Sequence, residues 1–190
     1  MTPTGQTRTV TAVVLAGGSS RRFGGDKLAA SLHGVPLLTS VITSLPPDWS
    51  VVVVGPEREV GRTVTFVREN PPGSGPAAAL LTGVRATTGD VVLTVPGDSP
   101  GAGRVAARLL GALADHDRVV AADDQPNPLW LGLRDTALDR VRAGEPTSWA
   151  GASAQALMRW IDPVSVSVPA VWLTDVDVPE DLARITGRRD

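Results

Sequence analysis

Residues 15–27 form a stretch, LAGGSSRRFGGDK, that combines glycine with positive charge directly after an apolar run. Glycine allows backbone N–H groups to approach phosphate oxygens closely. The side chains of Arg22 and Lys27 supply positive charge that can offset a polyphosphate. Lys27 lies ten residues after Gly17, so the loop is long enough to wrap such a ligand. These residue types predict a phosphate-binding loop.

Two well-known phosphate-binding loops do not fit this stretch. The P-loop ends in Gly-Lys-Ser/Thr, whereas Lys27 follows Asp26 and precedes Leu28. The dinucleotide-binding fingerprint needs three glycines at GxGxxG spacing, which the stretch lacks. A flexible surface turn with solvated arginines is the alternative interpretation.

A carboxylate in a second loop could bind a metal ion. Asp98 lies three residues beyond the apolar run VVLTV at 91–95, between Gly97 and Pro100. The chain has no cysteine and only two histidines, so carboxylates would have to hold a metal ion. That donor set favours a hard ion such as Mg²⁺. A residue of an Asx-turn is the alternative interpretation of Asp98.

Apolar runs and turn residues predict strands that alternate with helices. The predicted strands lie at 10–16, 51–54, 64–67, 91–95, 118–122, 129–133 and 164–168, with a turn at 123–128. The predicted helices lie at 36–45, 76–86, 105–113, 135–142, 153–160 and 179–185. This alternation predicts an α/β fold with a mostly parallel sheet, in which ligands bind beyond the carboxyl ends of the strands. The loops after Ala16, Val54 and Val95 are therefore the candidate binding region.

The composition of the 190-residue chain is typical of a globular protein, with 42% hydrophobic and 20% charged residues. Residues 1–9 are polar and aperiodic and are predicted to form a flexible tail before one domain at 10–187. The formal net charge of -2 argues against a nucleic-acid partner. No apolar run is long enough to span a bilayer, so we expect a cytoplasmic protein without a membrane partner.

The glycine-rich loop resembles a family signature. Its sequence is similar to the LAGG-x-S-x-R-hydrophobic-G-x-D-K motif of the MobA-like nucleotidyltransferases, which include molybdenum cofactor guanylyltransferase. Further stretches resemble later motifs of that family, in the expected order: 33–38 (HGVPLL), 75–78 (GPAA), 95–100 (VPGDSP), 128–130 (PLW) and 175–182 (DVDVPEDL). The resemblance spans nearly the whole chain.

This resemblance implies a Rossmann-like nucleotidyltransferase fold, a single three-layer αβα domain around a mostly parallel sheet. It implies that Arg22 and Lys27 contact the phosphates of the nucleotide, and that Mg²⁺ on Asp98 bridges phosphate oxygens. The nucleotide-binding residues that it implies are Leu15, Ala16, Gly17, Gly18, Lys27, Gly55, Asn70 and Asp98. Gly55 and Asn70 depart from the family, which often has asparagine and an acidic residue at these two places.

The resemblance also implies a reaction, the transfer of GMP from GTP to a phosphorylated acceptor with release of pyrophosphate. Molybdopterin cofactor is the expected acceptor, and the LAGG form of the loop favours guanylyl over cytidylyl transfer. Cytidylyl transfer, guanylyl transfer to another small acceptor, and a nucleotide-binding domain without catalysis are the alternatives. Transient contact with proteins that deliver the cofactor or accept the product is a further expectation.

Three residues have competing interpretations. The resemblance places Asp177 near the metal and the acceptor, yet the stretch Asp177-Val178-Pro179-Glu180 also has the form of a helix start with Asp177 as the N-cap. Trp130 and Trp149 could stack on a flat pterin, although large aromatic side chains are usually packing residues.

Overall fold

The computed structural model describes residues 8–18 and 22–187. Residues 1–7 of the predicted tail and residues 19–21 of the glycine-rich loop lie outside the described part of the chain. Thr9, which the prediction included in the tail, donates from its backbone N–H and its hydroxyl to Asp90 Oδ2, at 2.9 and 2.8 Å. These two hydrogen bonds favour the ionised carboxylate and so lower the pKa of Asp90.

The described strands form a seven-stranded sheet and a two-stranded hairpin. The strands are β1 (Val10–Leu15), β2 (Ser31–Leu32), β3 (Val35–Pro36), β4 (Ser50–Val54), β5 (Thr65–Val67), β6 (Val91–Pro96), β7 (Arg118–Ala122), β8 (Pro126–Arg134) and β9 (Val164–Ser167). The order in the large sheet is β5-β4-β1-β6-β8-β7-β9. β8 runs antiparallel to both of its neighbours, and the other pairs are parallel. The sheet is therefore mostly parallel, as predicted.

The α-helices of the described residues lie on both faces of this sheet. They are α1 (Leu37–Ser44), α2 (Pro76–Arg85), α3 (Ala102–Ala112), α4 (Asp135–Arg142), α5 (Ala154–Ile161) and α6 (Pro179–Gly187). One apolar cluster joins α1 and α3 to one face, and a second joins α2, α4 and α5 to the other. The central strands are apolar on both faces for this reason: Val14 belongs to the first cluster and Val13 to the second. The predicted three-layer α/β class is confirmed.

A third, smaller cluster attaches the end of the chain to the edge of the fold. Leu32 and Leu37, from the β2–β3 hairpin and the start of α1, pack with the buried Val176, which lies just before α6. Leu182 and Ile185 of α6 cover this cluster. The packing brings the C-terminal segment back to the segment that follows the glycine-rich loop.

The structure differs from the prediction in three elements. The β2–β3 hairpin was not predicted, because strands of two residues are too short to show a hydrophobic period. β8 begins at Pro126, inside the predicted turn at 123–128. The turn is shorter than predicted, because the Asp123 carboxylate accepts from the N–H of Gln125 at 3.2 Å and the chain reverses within 123–125. α3 begins at Ala102, three residues before the prediction, because glycine and alanine at 101–103 concealed the start of the helix.

No helix among residues 8–18 and 22–187 is long and apolar enough to cross a membrane.

Candidate active site

Three loops meet at the carboxyl edge of the sheet, as the strand order requires. β1 lies between β4 and β6, so the loops that follow these strands are neighbours. Ala16 N–H donates to Val54 O at 2.8 Å, and Gly97 N–H donates to Leu15 O at 2.9 Å. These bonds fix the first turn of the glycine-rich loop between the other two loops. The three loops named as the candidate binding region therefore lie side by side at this edge of the sheet.

The glycine-rich loop leaves space above its first turn. Ala16 is buried, whereas Gly17 and Gly18 are exposed. A Cβ atom on Gly17 or Gly18 would meet no atom within 4 Å among the described residues, and Gly18 has a φ of 125°. The backbone of this turn is accessible to a bulky ligand.

Gly55 is required by a close approach of two backbones. A Cβ atom on Gly55 would lie 2.7 Å from the carbonyl oxygen of Ala16, closer than real Cβ contacts allow. The structure therefore places Gly55 directly against the glycine-rich loop. Asn70 lies three residues beyond β5, which pairs with β4, and its side chain is exposed. No hydrogen bond within the described part of the chain joins Asn70 to Lys27 or Asp98.

Four charged side chains from three segments meet beside the turn, and we call them the charged cluster: Arg22, Lys27, Asp98 and Asp177. Lys27 Nζ lies 2.5 Å from Asp98 Oδ2 and 3.3 Å from Asp177 Oδ1. Arg22 NH1 lies 3.4 Å from Asp177 Oδ2. Lys27 and Asp98 are largely shielded, with 15% and 19% of their side chains exposed, whereas Arg22 is 81% exposed. Arg22 is thus free to reach a ligand in solvent, and Lys27 is held in place.

Local structure fixes both partners of the short ion pair. Lys27 is the first residue of a one-turn 3-10 helix that ends at Ala29, and the Asp26 carboxylate accepts from Leu28 N–H at the start of this turn. Asp98 follows β6, and its backbone carbonyl accepts from Val176 N–H at 3.0 Å. That bond attaches the C-terminal segment to the loop that carries Asp98. The predicted site residues Lys27, Asp98 and Asp177 are therefore brought together.

Of the two interpretations of Asp177, the N-cap of α6 does not hold. The carboxylate of Asp181, in the first turn of α6, accepts from the backbone N–H groups of Asp177 and Val178, both at 2.9 Å, and so joins the residues before the helix to its first turn. These bonds favour the ionised form and lower the pKa of Asp181. The Asp177 carboxylate accepts instead from Lys27 and Arg22, at 3.3 and 3.4 Å. Asp177 is free of the helix and belongs to the charged cluster.

The electrostatics of the cluster keep Lys27 protonated. Burial of the ammonium group lowers its pKa, but hydrogen bonds and charge attraction from Asp98 and then Asp177 outweigh this, and the pKa of Lys27 is raised. Lys27 is therefore a fixed positive charge near neutral pH and not a general base. It is also the single lysine among 18 lysine and arginine residues. Its compact ammonium group lies between the carboxylates of Asp98 and Asp177.

Asp175 is a third carboxylate beside the cluster, and the sequence analysis did not include it among the site residues. Desolvation of its carboxyl group raises the pKa of Asp175, and the charges of Asp98 and Asp177 add to the increase. Its own backbone N–H and Lys27 oppose these effects. Asp175 itself is exposed, and it lies two residues before Asp177 of the charged cluster. The alternation of aspartates at 175 and 177 was the available sequence signal.

The donor set at this edge suits a magnesium ion. Mg²⁺ usually takes one or two carboxylates from the protein and completes its shell with water and substrate phosphates. Asp98 and Asp177 both hold the same ammonium group, so their oxygens already converge on one positive charge. No cluster of three or more metal-binding side chains occurs in the described ranges. Two carboxylates plus triphosphate oxygens therefore fit the ion, whereas an all-protein cage does not.

The two tryptophans considered for pterin stacking lie elsewhere. Trp130 is fully buried in the first apolar cluster, so the prediction that it could stack on a ligand is wrong. Trp149 packs against Trp160 with ring centroids 5.6 Å apart, and the Arg140 guanidinium lies 4.7 Å from the Trp160 ring centroid. These contacts explain both rings as packing residues.

Comparisons with known proteins agree with this architecture. They place the chain among the nucleotidyltransferases. The family model of the MobA-like NTP transferase domain matches residues 12–169. The chain belongs to the MobA-like NTP transferase family.

Individual relatives share parts of the chain or its fold. A protein of Haloferax mediterranei named probable molybdenum cofactor guanylyltransferase is 34% identical over 88 residues, which are 41% of this chain and 42% of that protein. The matched segment thus spans less than half of that relative. Molybdopterin-guanine dinucleotide biosynthesis protein A from Archaeoglobus fulgidus has a TM-score of 0.67 at 21% identity, covering 92% of this chain and 95% of its own. A nucleotidyl transferase from Methanothermobacter has a TM-score of 0.66 at 24% identity, covering 94% and 96%. Both solved structures share the fold.

The separation of Asp177 from the helix cap leads to a testable difference between two variants. We expect Asp177→Ala to lower turnover roughly tenfold or more, the scale for losing a hydrogen bond to a charged group, with an almost unchanged Tm. We expect Asp181→Ala to lower stability by about 1 kcal/mol, a fall in Tm of about 2–4 °C. Thermal melts and initial rates of both variants decide the matter. A lower Tm with full turnover in Asp177→Ala would return Asp177 to a purely structural role.

Proposed function

We propose that the protein transfers GMP from GTP to a phosphorylated acceptor, most simply molybdopterin cofactor, with Mg²⁺ and with release of pyrophosphate. The observation that carries the proposal is the charged cluster, in which Lys27, Asp98 and Asp177 converge beside the accessible turn after β1. Membership of the MobA-like NTP transferase family supports the reaction type. The name of the Haloferax relative supports guanylyl transfer and this acceptor.

In this proposal the chain acts by positioning and by charge. The backbone of Leu15, Ala16, Gly17 and Gly18 holds the nucleotide, with Gly55 and Asn70 on the same side. Arg22, which is exposed, and Lys27, which is fixed, contact the phosphates. A magnesium ion held by Asp98 and Asp177 would neutralise charge on the phosphate oxygens. The chain contributes little covalent chemistry, as is common in reactions at phosphorus.

The proposed reaction needs no strong general base in the chain. An anionic phosphate oxygen of the acceptor forms a bond to the α-phosphorus of GTP, and the bond from that phosphorus to the bridging oxygen breaks. The electron pair of the broken bond leaves with pyrophosphate. Lys27 stays protonated and stabilises the charge that develops on the leaving group, since its pKa is raised. A site with a fixed ammonium and no histidine among its charged residues suits this chemistry.

Nucleotide-dependent melting tests the proposal. Only a ligand that binds the native state raises the Tm, by an amount that grows with its concentration relative to Kd. We expect GTP with Mg²⁺ to raise the Tm more than ATP, CTP or UTP does, and to give pyrophosphate only when the acceptor is added. An equal or larger shift with CTP would assign the protein to cytidylyl transfer. Nucleotide binding without pyrophosphate release would indicate a binding domain that lacks catalysis.

A further inference from the structure

The guanidinium group of Arg58 contacts the residue next to Lys27. Arg58 lies in the loop that follows β4, four residues after the end of the strand. Its NH1 donates to Asp26 Oδ2 at 2.8 Å. The Arg58 side chain is 24% exposed and the Asp26 side chain is 52% exposed, so solvent reaches this ion pair mainly from the Asp26 side.

The other carboxylate oxygen of Asp26 organises the turn that carries Lys27. Asp26 Oδ1 accepts from Leu28 N–H at 3.1 Å, and the backbone carbonyl of Asp26 accepts from Ala29 N–H at 3.1 Å. Lys27 lies between the cap and the first bonded amide of this turn. The Asp26 carboxylate therefore links Arg58, on one side, to the backbone that directs the Lys27 side chain, on the other.

We propose that Arg58 is a positioning residue for Lys27, acting through Asp26. The inference rests on the proposed function in one respect, that the Lys27 ammonium contacts the phosphates of a nucleotide. A charge that stabilises a transition state must be placed within a fraction of an ångström, and a misplacement of about 1 Å can cost a factor of about a hundred. The Arg58–Asp26 pair anchors the turn that carries Lys27 to the loop after β4.

This linkage also joins two halves of the nucleotide site. The loop after β4 begins with Gly55, whose backbone lies against Ala16 in the glycine-rich loop. Arg58, three residues further along, contacts the far end of the same loop at Asp26. The segment 55–58 therefore braces the glycine-rich loop at its beginning and at its end.

The single lysine of the chain makes the positioning directly measurable. Protein labelled with ¹⁵N-lysine gives one backbone amide signal and one ammonium signal, and both belong to Lys27. We expect Arg58→Met, which keeps the aliphatic stem, to shift both signals and to speed proton exchange of the ammonium group by about tenfold, because the turn opens more often. Arg85→Met is the matched control, since Arg85 NH1 pairs with Glu145 at 2.6 Å at the end of α2. It should leave both signals unchanged.

Kinetics separates positioning from support of the fold. We expect Arg58→Met to lower kcat about tenfold while KM for GTP changes by less than about threefold, because Lys27 is displaced and not removed. Arg58→Lys should recover most of the loss, since an ammonium can still bond one Asp26 oxygen. Adding Asp26→Asn to Arg58→Met should lower kcat no further than about twofold, because both changes break the same linkage.

Two results would overturn the proposal. Unchanged Lys27 signals in Arg58→Met would show that the ion pair does not hold the turn. Altered signals with an unchanged kcat would show that Arg58 supports the structure only. A wild-type protein that releases no pyrophosphate with any nucleotide in the presence of Mg²⁺ and the acceptor would defeat the proposed function, and the NMR comparison with Arg85→Met would still decide whether Arg58 positions Lys27.

Discussion

Replacing Asp98 with asparagine is expected to lower turnover about a thousandfold while the protein stays folded. Asparagine keeps the size of the side chain but removes the charge that pairs with Lys27 at 2.5 Å and that would hold Mg²⁺. Electrostatic groups aimed at developing charge typically contribute factors of about a hundred to a thousand each, and Asp98 would act both through the metal and through Lys27. The backbone bond from Val176 N–H to Asp98 O does not depend on the side chain, so the C-terminal segment should remain docked.

Pyrophosphate release at saturating Mg²⁺, together with a thermal melt, checks this expectation. Asp124→Asn is the control, because it makes the same chemical change at an exposed residue of the β7–β8 turn. It should leave turnover within about twofold of wild type, the range of ordinary surface substitutions. Asp98→Asn with turnover within a few-fold of wild type would remove the carboxylate from the metal site.

Local patterns in the sequence were sufficient for the elements that carry the site. The apolar runs that became β1, β4 and β6 are continuous and end in glycine or proline, which predicts buried parallel strands. Because the carboxyl ends of such strands lie at one edge, the positions of Lys27 and Asp98 followed from topology. The 2.5 Å contact between Lys27 Nζ and Asp98 Oδ2 could not be predicted from the sequence, because a contact between residues in different loops depends on how the whole sheet packs.

The residues that the sequence analysis missed act through long-range contacts. Arg58 and Asp26 are 32 positions apart, and nothing in either local stretch indicates the pair. The helix cap was assigned to Asp177 because that residue precedes Val178 and Pro179, a pattern that describes the backbone and not the side chain. In the structure the Asp177 carboxylate accepts from Lys27 and Arg22, while the carboxylate of Asp181 accepts from the backbone N–H groups of Asp177 and Val178. The local preference of aspartate for a helix N-cap therefore did not predict the position of the Asp177 side chain, which forms ion pairs with Arg22 and Lys27 from a distant segment.

For Trp130, the sequence suggested a functional role that the structure does not support. A tryptophan in a stretch that resembles the acceptor side of a family invited a functional interpretation, but the side chain lies on a sheet face covered by helices and is fully buried. Strand position alone does not tell which face a side chain occupies when both faces of the sheet are apolar.

Removal of the Lys27 ammonium is expected to have the second large effect. Lys27→Met keeps the aliphatic stem and should lower kcat about a hundredfold, the scale for losing one group that stabilises developing charge. Lys27→Arg is the informative partner variant, since it keeps the charge but places a wider, planar group between Asp98 and Asp177. We expect Lys27→Arg to recover less than about a tenth of wild-type kcat, because both carboxylates approach Lys27 too closely for a guanidinium group.

Lys27→Met is also expected to change how the site responds to Mg²⁺ in the absence of nucleotide. In the wild-type protein the ammonium occupies the position between Asp98 and Asp177, so Mg²⁺ without nucleotide must compete with it. In Lys27→Met the two carboxylates and the neighbouring Asp175 lack this cation and repel one another. We therefore expect Mg²⁺ alone to raise the Tm of Lys27→Met by more than that of wild type, with Arg85→Met as a control that responds like wild type. An equal response in all three proteins would show that the ammonium and the metal do not share a position.

The pH dependence of stability tests whether Lys27 is protonated, as the expected effects of Lys27→Met on kcat and on the response to Mg²⁺ require. The pKa of Lys27 is raised in the folded protein above the ordinary value of a lysine, so its stabilising contribution is complete below that ordinary value and is lost only as pH rises through the folded pKa. The difference in Tm between wild type and Lys27→Met should therefore stay constant from about pH 7 to about pH 9. A difference that vanishes within this window would mean that Lys27 loses its proton there.

The kinetics of Lys27→Met distinguish two roles of the ammonium group. If Lys27→Met changed KM alone and left kcat intact, Lys27 would be a ground-state binder of the triphosphate and not a stabiliser of the transition state.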